Sequence, residues 1–421
     1  MQAPTAKQEW AAMWPLPLAA MLGMSGTGMF VYSSGVFMGD MTAEFGWSRA
    51  QFSFTLTLLM LAGLIFLPML GWCVDRWGPR RMALFGIVTF AAGFAMLGLA
   101  NGSILQWYAL ALLYAPFQAF IGQPIWIAGV VSRFDASRGL AMAVALAGLG
   151  IASMVWPLLT AFYIEALGWR LTYVALALSW VIPVLPLTLL FFYGAGDRSG
   201  PAKPRPERQA YGPALRSRTF IGLMLAGGLF ICGGFGITVH IVPILRGDGF
   251  SLGSAAAIAG LVGAFSFTGR LLTGYLLDRF PTRPIAVTVF LMPILTSVLL
   301  LLFPGSLAGA VGAVIMLGLS GGAEMDIVTF IAARRFGPGV FASIFALFSA
   351  IIAACAGLGA VLAGAIFDMQ QSYDAYLLLV IPMMLASAGL IAWLPMEPEQ
   401  DAAGRRGNEP LEPAGAQPSA P

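Results

Sequence analysis

Residues 71–81 read GWCVDRWGPRR, and residues 274–283 read GYLLDRFPTR. An offset of 203 positions lays Gly71, Asp75, Arg76 and Arg80 on Gly274, Asp278, Arg279 and Arg283 without a gap. The same offset carries Gly46 and Ser48 onto Gly249 and Ser251, and AGLG at 147–150 returns at 356–359. A chain that repeats itself across its midpoint is built of two related halves, and in membranes such halves enclose a site near the bilayer midplane.

Composition places these halves in a membrane. Hydrophobic residues make up 59% of the 421 and charged residues 10%, and the mean hydropathy is +0.85. Soluble domains carry roughly 25% charged residues. A crossing helix needs about 20 mainly apolar residues, because its backbone must satisfy its own hydrogen bonds across the hydrocarbon. Twelve segments qualify: 14–38, 51–73, 82–100, 105–131, 140–165, 171–193, 219–245, 254–277, 284–303, 307–333, 338–366 and 375–394. The expected architecture is therefore all-α, with an N-terminal six-helix half over 1–193 and a C-terminal half over 219–396. A Pro-, Gly- and Arg-rich cytoplasmic loop over 194–218 joins them, and a disordered cytoplasmic tail over 397–421 closes the chain.

The basic residues orient this bundle. With the N-terminus in the cytoplasm, 18 of the 22 Lys and Arg fall on cytoplasmic segments; Arg49, Arg170 and Arg246 fall outside, and Arg270 lies within a span. The positive-inside rule then puts both termini in the cytoplasm. The preference for Arg (20) over Lys (2) fits a GC-rich bacterial genome, hence a bacterial inner membrane. Cys73, Cys232 and Cys355 all sit in apolar runs without metal-ligand or disulfide spacing. The single His leaves no metal or catalytic constellation, and no Walker-type Gly-Lys-Ser/Thr loop is present. The reading is a monomeric, multi-pass transporter, with no enzyme activity, no cofactor and no nucleic-acid partner.

GWCVDRWGPRR resembles the signature loop between helices two and three of the major facilitator superfamily, with GYLLDRFPTR as its weaker second-half copy. FGWSRAQFS (45–53), HIVPILRGDGFSLGSAA (240–256) and GAEMDIVTFIAARRFG (322–337) are similar to the bacterial branch of the monocarboxylate transporter family, related to the oxalate/formate antiporters. The resemblance implies a secondary transporter moving a small organic monocarboxylate by alternating access, coupled to protons. An organic-anion exchanger and an exporter of hydrophobic compounds stay open. In this plan Asp75, Arg76, Arg80, Asp278, Arg279 and Arg283 form a conformational latch that pairs the halves in one state and releases them in the other. Alternatively these arginines only enforce topology. Pro281 and Pro284 depart from the expected pattern in the second copy.

Charge placed in hydrocarbon costs roughly 2.5–3.5 kcal/mol per residue on insertion scales, so Arg270, Glu324 and Asp326 must face a cavity or each other. Arg270 lies eight residues before Asp278, about 12 Å inside the membrane edge at 1.5 Å per residue. Asp326 lies eight before Arg334 and shares that depth. The family carries an arginine at the position of Arg270, where it holds the substrate carboxylate; a planar guanidinium fork suits that partner. The other reading is a permanent salt bridge to a helix-ten acid. Glu324 and Asp326 stand about 200° apart around their helix, so one can face the cavity while the other joins a different network. Two carboxylates against one arginine would leave the site negative before an anion arrived, which marks Glu324 and Asp326 as candidate proton-coupling groups.

Two departures bear on the substrate. Animal members have an Asp one turn before the arginine, where this chain has Ser266. The oxalate/formate antiporters have a helix-eleven lysine, whereas 338–366 holds no basic residue, which favours a monoanion. His240 is either a proton relay or polar contact at the extracellular gate, or an interfacial side chain with a satisfied hydrogen bond. Tyr32, Tyr114 and Gln118 are candidate substrate-binding residues that, with Gln123, line the cavity, and Trp126 and Trp156 a candidate apolar wall, against helix packing or interfacial anchoring for each aromatic.

Overall fold

The computed structural model describes residues 5–134, 136–193, 216–335 and 338–394; within its helices the side chains of Asp75, Arg138, Asp278 and residues 333–346 lie outside the description. The expected tail lies wholly outside the described residues, and so does the central loop up to 215. Among the described residues there are helices and turns and no strand. The helices are α1 Ala6–Met13, α2 Pro15–Ser25, α3 Met29–Phe45, α4 Arg49–Trp77, α5 Pro79–Met96, α6 Ile104–Ala119, α7 Gln123–Val131 and α8 Arg138–Phe191. The second set is α9 Arg218–Gly247, α10 Leu252–Arg279, α11 Thr282–Leu302, α12 Leu307–Arg335, α13 Pro338–Gln370 and α14 Asp374–Trp393.

Ten of the described helical stretches are long and apolar enough to cross a membrane. One of them, Leu140–Phe191, has 52 residues. Straight, it would measure about 78 Å against about 30 Å of hydrocarbon. It is two crossings, because Gly168 leaves helical geometry at φ 75° and ψ 161°. The Tyr163 hydroxyl then meets Ser179 Oγ at 2.7 Å, a pair that a straight helix would hold about 24 Å apart. The twelfth crossing is α2 with α3, interrupted by the 3₁₀ turn Gly26–Gly28 so that neither piece reaches spanning length alone.

The repeat runs deeper than the motif that reveals it. Left-handed backbone occurs at Gly46 and Gly249, at Gly102 and Gly305, and at Gly168 and Gln371. Each pair is separated by the same 203 positions. All six lie on the end of the bundle that the charge bias reads as extracellular, termed the outer end below. Gln371 adopts φ 57° without being glycine, a conformation that costs an L residue about 1–2 kcal/mol. Following the first pair, Ser48 Oγ accepts from Gln51 N and Ser251 Oγ from Ser254 N, so both halves start their second crossing with the same N-cap. At the opposite end the repeat fails: Gly78 has φ 83°, whereas Pro281 in its place has φ −56°.

The buried apolar side chains divide into one core drawn from residues 16–192 and another from 220–394, with Val239 and Ala360 lent to the first and Val36 and Ala161 to the second. The halves meet through α3 on α9, α4 on α13 and α8 on α10. Small residues make these seams close. A side chain at Gly364 would meet the backbone of Arg49 and Ala50 at 2.7–2.9 Å, so only glycine lets α13 approach α4 there.

Candidate functional site

α10 and α12 pack most closely where Gly322 faces the Ser266 carbonyl and Gly269 faces Leu319. One turn beyond the Gly322–Ser266 contact on each helix stand Asp326 and Arg270. Arg270 Nε lies 3.4 Å from Asp326 Oδ2, with the two side chains 36% and 32% exposed. The pair is a single long contact rather than a bidentate fork. No other hydrogen bond or ion pair to Arg270 occurs among the described residues.

Glu324 takes the other face of α12. It is buried, and its Oε1 points at Gly227 of α9 beside Phe348 and Ile352 of α13. That oxygen has no hydrogen-bond partner among the described residues. The two acids thus divide as their spacing requires: Asp326 faces Arg270, and Glu324 enters the seam between α9, α12 and α13.

At the outer end the halves are tied by a polar cluster. Both oxygens of Asp368, near the end of α13, accept backbone N–H groups at the start of α4, from Arg49 and Ala50, each at 2.9 Å. The Arg49 guanidinium lies 3.5 Å from the Phe367 ring centre and donates to the Tyr373 hydroxyl at 2.6 Å. His240 of α9 is fully buried. Its Nδ1 meets Tyr373 at 2.7 Å, and its Nε2 meets the Ala360 carbonyl at 3.0 Å and Ser53 Oγ at 3.1 Å. A carbonyl only accepts, so Nε2 carries the hydrogen and Nδ1 accepts from Tyr373. His240 therefore belongs to a buried polar contact between α4, α9 and α13. Sequence reasoning passed over Arg49, Ser53, Asp368 and Tyr373. Arg49 carried a signal, being one of only three basic residues on the outer side.

Towards the other end a cavity of about 560 Å³ separates α4 from α13. Its wall comprises Val31, Leu56, Leu59, Met60, Leu64, Leu67, Gln118, Gln123, Leu149, Ser349 and neighbouring residues, with no charged side chain among the described residues. Gln118 lines it as expected. Tyr32 sits in the adjoining seam with Pro157, Thr238 and Val262, facing Ser153 and within the field of Arg270. Tyr114 does not reach the cavity. It is fully buried among Phe30, Phe90 and Phe94, inside the first core. Trp126 and Trp156 are likewise packing residues, donating to the carbonyls of Ile121 and Ser25 at 2.8 Å.

The four arginines expected to form a latch each engage their own half. Arg76 lies over Trp72 and Arg279 over Tyr275, aromatic pairs again related by 203 positions. Such contacts contribute about 0.5–1 kcal/mol at exposed sites. Arg80 donates to the Leu189 carbonyl at 2.7 Å and Arg283 to that of Leu394 at 3.0 Å, each tying the start of one helix to the negative end of another. None of these four arginines forms an ion pair across the halves among the described residues. The side chains of Asp75 and Asp278 lie outside the description. No group of three His, Cys, Asp or Glu able to hold a metal occurs among the described residues.

Residues 18–360 match the family profile of the Major Facilitator Superfamily. Monocarboxylate transporter 13 of Bos taurus is 26% identical over 368 residues, covering 86% of this chain and 84% of that protein. The MFS-type transporter YcxA of Bacillus subtilis is 24% identical over 407 residues, covering 92% and 95%. A bacterial homologue of the human lysosomal transporter Spinster, solved in an inward-facing, occupied conformation, superposes with a TM-score of 0.66 at 15% identity over 98% of this chain and all of that one. The family profile covers most of the chain and the solved transporter shares its fold, so the chain is a multi-pass membrane transporter belonging to the major facilitator superfamily, not an enzyme.

Proposed function

We propose that the chain moves an organic monocarboxylate across a bacterial inner membrane by alternating access, with Arg270 binding the carboxylate and the movement coupled to protons. The observation that carries this reading is the Arg270–Asp326 contact, single and 3.4 Å long, which leaves most of the guanidinium fork for another partner. A carboxylate arriving from substrate completes the fork and displaces Asp326. Similarity to a protein named as a monocarboxylate transporter supports the substrate class. Glu324 is the proton site in this reading, since an intramembrane acid without an ion partner is the usual material of proton relays.

Both termini lie in the cytoplasm, so the Asp368–Arg49–Tyr373–His240 cluster is the closed extracellular gate and the cavity faces inward. The halves 1–193 and 219–396 rock about this seam, the protein acting as a monomer. The loop around Asp75 and its second-half copy close the inner side in the opposite state. A second reading, export of hydrophobic compounds, is favoured by the uncharged cavity wall.

Counterflow of labelled monocarboxylates in proteoliposomes, with and without a pH gradient, tests the proposal. Arg270→Ala is expected to abolish counterflow and Arg270→Lys to weaken affinity strongly, because lysine keeps the charge but loses the planar fork that pairs with a carboxylate. Normal counterflow in Arg270→Ala, or an amide analogue competing as well as its acid, would replace the carboxylate by a neutral or cationic substrate.

A further inference from the structure

Two features point to different ligands: an arginine suited to a carboxylate and an uncharged chamber suited to an apolar molecule. They are neighbours. Leu149 lines the chamber, and a Cβ placed on Gly150 beside it would meet Gly263 and Phe267 of α10 at 3.4–3.7 Å, two turns and one turn before Arg270. On the other flank Val31 lines the chamber, and the next residue, Tyr32, lines a seam with Ala259 and Val262 of α10.

We infer that the substrate is an amphiphilic carboxylic acid, an arylalkanoate or medium-chain acid, whose head pairs with Arg270 while its apolar body fills the chamber between α4 and α13. This rests on the carboxylate reading above and adds the size and polarity of the rest of the molecule. A chamber of about 560 Å³ falls within the roughly 300–1,000 Å³ of pockets that enclose drug-sized ligands. A three-carbon acid would leave most of it to water against leucine and methionine, whereas each methylene placed there removes apolar surface from water on both sides. Among the described residues the side-chain amides on the wall are Gln118 and Gln123, enough to hold one polar substituent on the body.

The test uses the full-length protein in lipid nanodiscs, with straight-chain acids from acetate to octanoate, 3-phenylpropanoate and the matching amides, binding being read by calorimetry. Affinity is expected to rise roughly three- to fourfold per methylene, with octanoate well ahead of octanamide. Gly63 faces the chamber, and a side chain there would meet only Leu67, at 3.8 Å. Gly63→Leu therefore fills the space, and should cost octanoate tenfold or more while butanoate stays within about twofold of the parent. Ala353→Leu repeats the test from the facing wall, should the first variant not fold. A series that is flat with chain length, acids still preferred over amides, overturns the amphiphile inference and leaves the carboxylate reading standing. Octanamide binding as tightly as octanoate, or no acid binding at all, overturns the carboxylate reading and this inference with it.

Discussion

Asp368 accepts hydrogen bonds from the backbone nitrogens of both Arg49 and Ala50, each at 2.9 Å, so a carboxylate of the second half caps the first turn of a helix in the first. A helix N-terminus presents unpaired N–H groups and a partial positive charge, and an acid placed there satisfies both. The partners lie 319 and 318 residues apart in sequence, so the contact ties the two halves at the outer end.

Asp368→Ala should shift the protein towards the outward-open state. Loss of a cap costs about 0.5–2 kcal/mol, which is a two- to thirtyfold change in the ratio of states. Spin labels at Ser103 and Ser306, in the outer turns of the two halves, should show a larger population at long distance. An unchanged distance distribution would remove Asp368 from the gate.

Asp326→Asn should raise equilibrium affinity for the acid several-fold, because the substrate no longer competes with Asp326 for the guanidinium of Arg270. Turnover should fall, since release loses the group that takes the arginine back. Weakened binding would instead mean that Asp326 orients Arg270 for the substrate.

Glu324→Gln should eliminate accumulation driven by a pH gradient while leaving exchange of labelled for unlabelled substrate, which needs no net proton movement. One proton per substrate supports at most about tenfold accumulation per pH unit, so the loss is readily measured. Persistence of pH-driven uptake would exclude Glu324 as the coupling acid.

At the outer surface Arg170 pairs with Glu44 at 2.7 Å and Trp169 donates to it at 2.6 Å. These hydrogen bonds, first from Arg170 and then from Trp169, hold the Glu44 carboxyl below its ordinary value. A group depressed in the folded state stabilises above its unfolded value, about 4.3, and loses that contribution as the pH falls through the folded value. Glu44→Gln should therefore melt slightly earlier than the parent at neutral pH, and the two melting temperatures should converge below about pH 4. A gap that widened on acidification would contradict the pairing.

Orientation is open to chemical labelling. Engineered cysteines at Ser103 and Gly305 should react with an impermeant maleimide added outside cells, and cysteines in 197–210 only after permeabilisation. The reverse pattern would invert the topology and exchange the two gates.

The fold was legible because a bilayer constrains sequence strongly. Each crossing needs its own apolar run, and basic residues collect on one side. The repeat at 203 positions was visible at Gly46, Gly71 and Asp75, and the structure extends it to the left-handed pairs Gly102 with Gly305 and Gly168 with Gln371. The second of these was hidden because one member is glutamine. Sequence also set the depth of Arg270, Glu324 and Asp326, since rise per residue is fixed in a helix.

What sequence alone determined about this protein is which residues cross, how deep its charges lie and that the two halves are related. Only the tertiary structure decided which way those charges point and what they meet: Asp326 on Arg270, Glu324 against Gly227, Tyr114 inside the aromatic core, and His240 on Tyr373, 133 residues away. The reason is physical. Spacing along a helix fixes height and the relative angle of two side chains, but the face a helix turns to its neighbours depends on where small residues such as Gly322, Gly269 and Gly364 allow close packing, and those partners lie far away in the chain.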